Sequence, residues 1–126
     1  MTEGMKKESN IILIGMPGCG KSTVGVVLAK AMGYEYIDSD LLIQKTQGQK
    51  LSQIIEEKGV PGFHEVEDRV NQSIVAEKTV IATGGSAVYG DGAMNHFREI
   101  GTVIYLKLSY EEIKRRLGDL HQRGIT

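Results

Sequence analysis

One short string constrains this chain more than anything else in it: Gly15-Met16-Pro17-Gly18-Cys19-Gly20-Lys21-Ser22 fits the pattern G-x-x-x-x-G-K-[ST] at every fixed position. The segments on either side have different periodicities. Before the string, Asn10-Ile11-Ile12-Leu13-Ile14 is an apolar, β-branched run closed by Gly15, which predicts a strand buried on both faces of a parallel sheet. After it, Val24, Val27, Leu28, Ala31 and Met32 recur at helical spacing over Lys21 to Met32, and Gly33 stands where a C′ glycine ends a helix. Glycines between a strand and a helix let successive backbone N–H groups curl inward around a phosphate chain, and the helix N-terminus favours its negative charge. A chance match in a chain of this length is roughly a one-in-a-few-hundred event. The string therefore predicts a nucleoside triphosphate cradled by Gly15, Pro17, Gly18, Cys19, Gly20, Lys21, Ser22 and Thr23. By analogy with the motif, Lys21 reaches the β- and γ-phosphates and the Ser22 hydroxyl ligates Mg²⁺.

Further along, Tyr34 to Asp38 predicts a second strand, ending in the acidic cluster Asp38-Ser39-Asp40. Between Leu41 and Lys78 the apolar residues fall on helical faces, and Gly59, Pro61 and Gly62 break the run into separate helices. Thr79 to Thr83 predicts a third strand closed by Gly84-Gly85. A turn at Gly90-Asp91-Gly92 leads into a helix through Phe97, and Thr102 to Lys107 predicts a fourth strand with Tyr105 in the core. Ser109 and Glu112 form a capping box for a last helix carrying Ile113 and Leu117. Strands alternating with helices predict an α/β fold, a parallel sheet covered on both faces, with a helical excursion between the second and third strands.

With 126 residues, 25% of them charged and 40% hydrophobic, the composition is that of one ordinary globular domain. The net charge of −1 supplies no global field for a nucleic acid or a membrane surface, so an anionic ligand must be held locally. A single cysteine excludes an internal disulfide framework and suits a cytoplasmic protein. The apolar run Ile11 to Ile14 is far shorter than the ~20 residues a membrane helix needs, and MTEGMKKESN lacks a signal-peptide core. His96 and His121 stand apart from any second ligand at zinc spacing, and Cys19 is expected to be a small residue without a catalytic role.

The fate of the γ-phosphate is a separate question. Neither N-K-x-D nor D-x-x-G occurs, against a GTPase switch, and the third strand ends in Thr83-Gly84-Gly85 where a transport ATPase would carry Asp or Asp-Glu. A small-molecule kinase fits better. A colinear series then resembles the shikimate kinase family of P-loop kinases: Gly-Met-Pro-Gly-Cys-Gly-Lys-Ser-Thr at 15–23, Tyr-Ile-Asp-Ser-Asp at 36–40, Gly62-Phe63-His64 with Glu67, Ala-Thr-Gly-Gly-Ser at 82–86, Val-Ile-Tyr-Leu at 103–106, and Arg115-Arg116 followed by Arg123. The resemblance implies a three-layer P-loop kinase fold occupying 1–126 as a single domain, with a helical substrate-binding region at 35–78 and the start of a lid at 116–126.

It also implies ATP and Mg²⁺, with Asp38 orienting the metal through water and Asp40 holding the reacting hydroxyl. The substrate would lie against Gly84, Gly85 and Ser86, the last standing where the family has a third glycine. Lid-side Arg116 would lie over the adenine and Arg123 would reach the transferring phosphoryl group, which makes Lys21, Asp40 and Arg123 the catalytic set. A capping role for Asp38 or Ser39 at the next helix is equally natural for such residues. The acceptor would be a small hydroxylated molecule, shikimate by resemblance, handled by a monomer without nucleic acid or membrane.

The series breaks at one place. The family pattern is Phe-Arg-x-x-Glu, its arginine gripping the substrate carboxylate, whereas this chain reads Phe63-His64-Glu65-Val66-Glu67. A guanidinium presents a planar fork to a carboxylate; an imidazole presents one donor per nitrogen and carries charge only below pH ~6.5. Weaker or altered acid recognition follows, with Glu67 accepting a hydrogen bond from His64 one turn away, unless His64 merely occupies a solvated helix face. A kinase for another hydroxylated metabolite and a nucleotide-binding protein without catalysis are the alternatives. The family continues into a further strand and a C-terminal helix, which this sequence is expected to lack, with impaired catalysis as the consequence.

Overall fold

A computed structural model of the protein describes residues 9–15, 20–106 and 115. The elements run β1 (Asn10–Gly15), α1 (Lys21–Met32), β2 (Glu35–Asp38), α2 (Ser39–Gln47), α3 (Leu51–Gln72), β3 (Thr79–Ala82), a single 3₁₀ turn (Ala87–Tyr89), α4 (Asp91–Ile100) and β4 (Gly101–Leu106). The four strands form one sheet in the order β2-β3-β1-β4, every neighbouring pair parallel. Ile12 is registered with Ile81 on one side and Val103 on the other.

The alternation of side chains along β1 explains how both faces are covered. Ile12 and Ile14 join Ile81 on the face that packs against Ala93 and Phe97 of α4. Leu13 points the other way and packs with Val80 and with Ala29 of α1. Helices on both sides of a parallel sheet make the three-layer α/β architecture expected above, and each fully buried aliphatic or aromatic side chain contributes roughly 1.5–3 kcal/mol to it. A third cluster lies away from the sheet, where Ile43 of α2 meets Ile54, Phe63, Val66 and Val70 of α3.

Asn10 locks the strands at the start of β1. Its side-chain amide donates to the carbonyls of Ala76 and Ile100 and accepts from the backbone N–H of Thr79. These three bonds satisfy a side chain that is almost wholly buried.

Several boundaries differ from expectation for physical reasons. The N–H of Tyr34 donates to Ala29 at the end of α1, so sheet pairing in β2 begins at Glu35. The interruption between Leu51 and Gln72 comes from Gly59 alone, whose φ of 76° and ψ of 169° belong to a region open essentially to glycine. Pro61 falls in the first turn after the kink, where a missing N–H costs nothing. Asp91 and Gly92 lie inside α4 rather than in a turn, because the Asp68 carboxylate reaches over from α3 to accept from the N–H of Ala93 and so serves as that helix's cap.

Tyr105 is not core: β4 is an edge of the described sheet, and Tyr105 there is 51% exposed. Residues 16–19, with Pro17, Gly18 and Cys19, lie outside the described part of the chain. So do Lys107, the capping box and helix expected after it, and Arg116, His121 and Arg123. Among the described residues no helix is long and apolar enough to cross a membrane, and no three His, Cys, Asp or Glu side chains converge as a metal cage.

Candidate functional site

In a parallel sheet all strands end on one side, and the loops leaving their carboxyl ends gather there. β1 ends at Gly15, β2 at Asp38 and β3 at Ala82, so Gly15, the acidic cluster and the Thr83 to Ser86 turn are brought together by topology. Thr83 is pinned to β1 by its N–H and its hydroxyl, both donating to the Leu13 carbonyl at 3.1 and 2.8 Å.

Gly20 is the N-cap of α1, and Lys21 and Ser22 open that helix. Lys21 is only 7% exposed, and its Nζ donates to the Gly15 carbonyl at 2.8 Å, which turns the side chain back toward the end of β1. Ser22 and Thr23 are exposed on the first turn. The Ser22 hydroxyl donates to Asp38 Oδ2 at 3.1 Å, linking the helix that follows β1 to the end of β2.

Asp38 has two tasks at once. Its Oδ1 accepts from the N–H groups of Asp40 at 3.0 Å and Leu41 at 3.4 Å, capping α2, while Oδ2 meets Ser22. Asp40 projects from the first turn of α2. Burial pushes its carboxyl above the usual range and the neighbouring Asp38 adds to that, while the Lys21 ammonium pulls it back.

Opposite stands Glu67, 2% exposed on the second segment of α3. Its Oε1 accepts from the Ser86 hydroxyl at 2.7 Å, and its Oε2 has no hydrogen-bond partner among the described residues. Burial raises the Glu67 carboxyl; Ser86 and His64 counteract this, and Asp40 and Asp68 reinforce it. Gly84 lies between the two acids. A Cβ there would stand 2.6 Å from Asp40 Oδ1 and 3.1 Å from Glu67 Oε2, so the missing side chain is what lets both carboxylates close in.

A cavity of about 360 Å³ opens over this group, lined by Asp40, Glu67, Gly84, Gly85 and Ser86 and walled by Leu51, Ile55, Phe63 and Tyr89. A second cavity, about 230 Å³, adjoins it and shares Glu67, Ser86 and Tyr89, adding His64, Glu65, Asp68, Gly90 and Asp91. His64 is half-buried rather than on a solvated face. Its ring lies 6.1 Å from that of Phe63 and 6.0 Å from that of Tyr89. The hydrogen bond expected between His64 and Glu67 is not formed: Oε1 is paired with Ser86, and Oε2 has no partner among the described residues.

The shikimate kinase family model matches residues 17–126. The chain belongs to the shikimate kinase family. A shikimate kinase 2 from Yersinia pseudotuberculosis is 39% identical over 109 residues, which are 86% of this chain and 63% of that protein. A shikimate kinase 2 from Dickeya chrysanthemi is 39% identical over 116 residues, 90% of this chain and 67% of that one. Among solved structures, the shikimate kinase from Acinetobacter baumannii in complex with shikimate superposes with a TM-score of 0.75 at 33% identity, covering 88% of this chain and 63% of that one. The enzyme from Aquifex aeolicus gives 0.71, also at 33% identity, covering 82% and 62%. This chain thus spans less than two-thirds of the Yersinia protein's length.

Against the residues singled out from the sequence, the structure gathers Gly15, Gly20, Lys21, Ser22, Asp38, Asp40, His64, Glu67, Gly84, Gly85 and Ser86 around the carboxyl end of the sheet. Among the lining residues of this shikimate kinase relative that its sequence does not single out are two polar ones, Tyr89 and Asp68. Tyr89 walls both cavities from the 3₁₀ turn, and Asp68 lines the smaller one beside its capping bond to α4. Only the adjacency of Asp68 to Glu67, and of Tyr89 to the Gly-Gly-Ser turn, could have signalled them.

Proposed function

We propose that the chain is an ATP-dependent phosphotransferase that moves the γ-phosphoryl group to a hydroxyl of shikimate. The observation that carries this reading is that the buried Lys21, held on the Gly15 carbonyl, and Asp40, whose carboxyl its charge influences, stand at the same end of the sheet, with Asp40 lining a cavity of small-molecule size. The family of the chain, and the shikimate bound in its Acinetobacter neighbour, support the acceptor.

In the reaction the acceptor hydroxyl oxygen forms a bond to the γ-phosphorus as the bond from that phosphorus to the β,γ-bridging oxygen breaks. The electron pair leaves with ADP, and the hydroxyl proton passes to the Asp40 carboxylate. Asp40 suits this role because burial strengthens its hold on a proton while Lys21 keeps the ionised form accessible. Lys21 exchanges its bond to Gly15 for the phosphate oxygens, offsetting charge that grows in transfer. Gly84, Gly85 and Ser86 bring backbone close to the acceptor, and the helices of 35–78 form its pocket.

The oxygen-only pair Ser22 and Asp38 fits Mg²⁺, which favours one or two protein ligands, several waters and substrate phosphates. When bound there, the ion supplies charge neutralisation at the phosphates. Arg116 and Arg123, beyond the described residues, complete the reading over the adenine and at the transferring group. The enzyme is read as cytoplasmic and as acting on small molecules.

Incubation with Mg-ATP and shikimate should release ADP, and Lys21→Ala should lower kcat by more than about 100-fold. ATP binding by calorimetry without transfer to any acceptor would leave a nucleotide-binding protein; near-normal turnover by Lys21→Ala would overturn the role given to the loop.

A further inference from the structure

The acceptor pocket has an electrostatic character that suits poorly an acid held by its carboxylate. Its two adjoining cavities are lined by five carboxylates, Asp40, Glu65, Glu67, Asp68 and Asp91, and among the described residues by no lysine or arginine. Where the family resemblance implies a guanidinium, His64 is turned between Phe63 and Tyr89, ring against ring. Independently of the charge count, Glu67 is 98% buried, lines both cavities, and leaves Oε2 without a hydrogen-bond donor. A buried carboxylate oxygen without a donor is costly, and the cost is removed by whatever brings one.

We propose that the pocket takes a second acceptor class, hydroxylated primary amines, whose ammonium group pairs with Glu67 while a hydroxyl on the same molecule faces Asp40. This rests on the phosphoryl-transfer reading given above and adds an acceptor to it. The ammonium supplies up to three donors, enough for the free oxygen of Glu67 and for a neighbouring acceptor such as the Ser86 oxygen. A cation beside the buried Glu67 favours the ionised form of its carboxyl, which burial otherwise disfavours. The chemical step is unchanged: the hydroxyl oxygen gains the γ-phosphorus, ADP leaves with the bridging electron pair, and Asp40 receives the proton. The amine remains protonated and forms no bond.

The test compares three acceptors on the same ring: shikimate, and the analogues in which its carboxylate is replaced by a hydroxymethyl group or, leaving a triol, by an aminomethyl group. Each is followed by ADP release with Mg-ATP. The aminomethyl triol should be phosphorylated with kcat/KM at least about tenfold above the hydroxymethyl analogue. Glu67→Gln should lower the aminomethyl-to-shikimate ratio of kcat/KM by about tenfold or more, whereas a merely structural role would lower both alike. His64→Arg should move that ratio in the same direction by restoring the fork for a carboxylate. Turnover of shikimate without turnover of the aminomethyl triol, or a ratio unmoved in both variants, overturns this inference and leaves the proposed function standing. Turnover of the amine alone upholds it and removes shikimate as acceptor. ADP release with none of the three overturns both.

Discussion

Asp38 shows how much one side chain can be asked to do. One oxygen caps α2 and the other accepts from Ser22, so the same carboxylate holds a helix start and ties it to the first turn of α1. Gly84 has the complementary task of being absent: any side chain there occupies the space of Asp40 Oδ1. Gly84→Ala should therefore displace the carboxylate facing the acceptor and reduce kcat by about 100-fold, since misplacement on the order of 1 Å costs that much. Steady-state rates paired with a thermal melt check this, the melt moving little while the rate collapses. Legibility at this scale depended on distance along the chain. The residues of the glycine loop announce themselves because eight consecutive positions carry the motif. Asp38 and Asp40 were visible only beside that loop, and Tyr89 and Asp68 were not visible at all, because what makes them lining residues is the packing of α3 against the 3₁₀ turn and α4.

At the scale of elements, strands and helices declared themselves where one residue decides the boundary. Gly33, with φ of 71°, follows α1 as its spacing predicts, and the apolar run of β1 is buried as such a run should be. Expectation failed where a distant group decides. The start of α4 belongs to Asp68, and the exposure of Tyr105 follows from the place of β4 in the strand order. Nothing local reports either fact. The same dependence makes Asn10 the clearest target among the element contacts, because one amide joins the starts of β1 and β3 to the end of α4. Asn10→Ala removes three hydrogen bonds and leaves buried backbone groups unpaired, so unfolding free energy should fall by about 3 kcal/mol. Urea titration measures the loss, with the m-value unchanged if the fold persists.

For the molecule as a whole, the acids of the site bear on stability. Asp40 and Glu67 both hold protons more tightly in the folded state than an unfolded carboxyl does. Ionising them at neutral pH therefore penalises folding, and the penalty lifts as pH falls through the raised values toward about 4, where unfolded carboxyls also titrate. The melting temperature of Glu67→Gln should exceed that of the parent at pH 7, and the difference should shrink by pH 5; a difference constant across that range would contradict the burial argument. The strand order has a consequence of another kind, in time. β1 is made well before its partners β3 and β4, and Asn10 by itself makes bonds across 66 and 90 residues of chain. Ile12 and Ile14 must therefore wait for the cover that Ile81, Ala93 and Phe97 supply, since contacts this remote form late and slowly. A nascent chain stalled before Gly101 should be retained by a holding chaperone, and the emergence of Leu106 from the ribosome should mark its release.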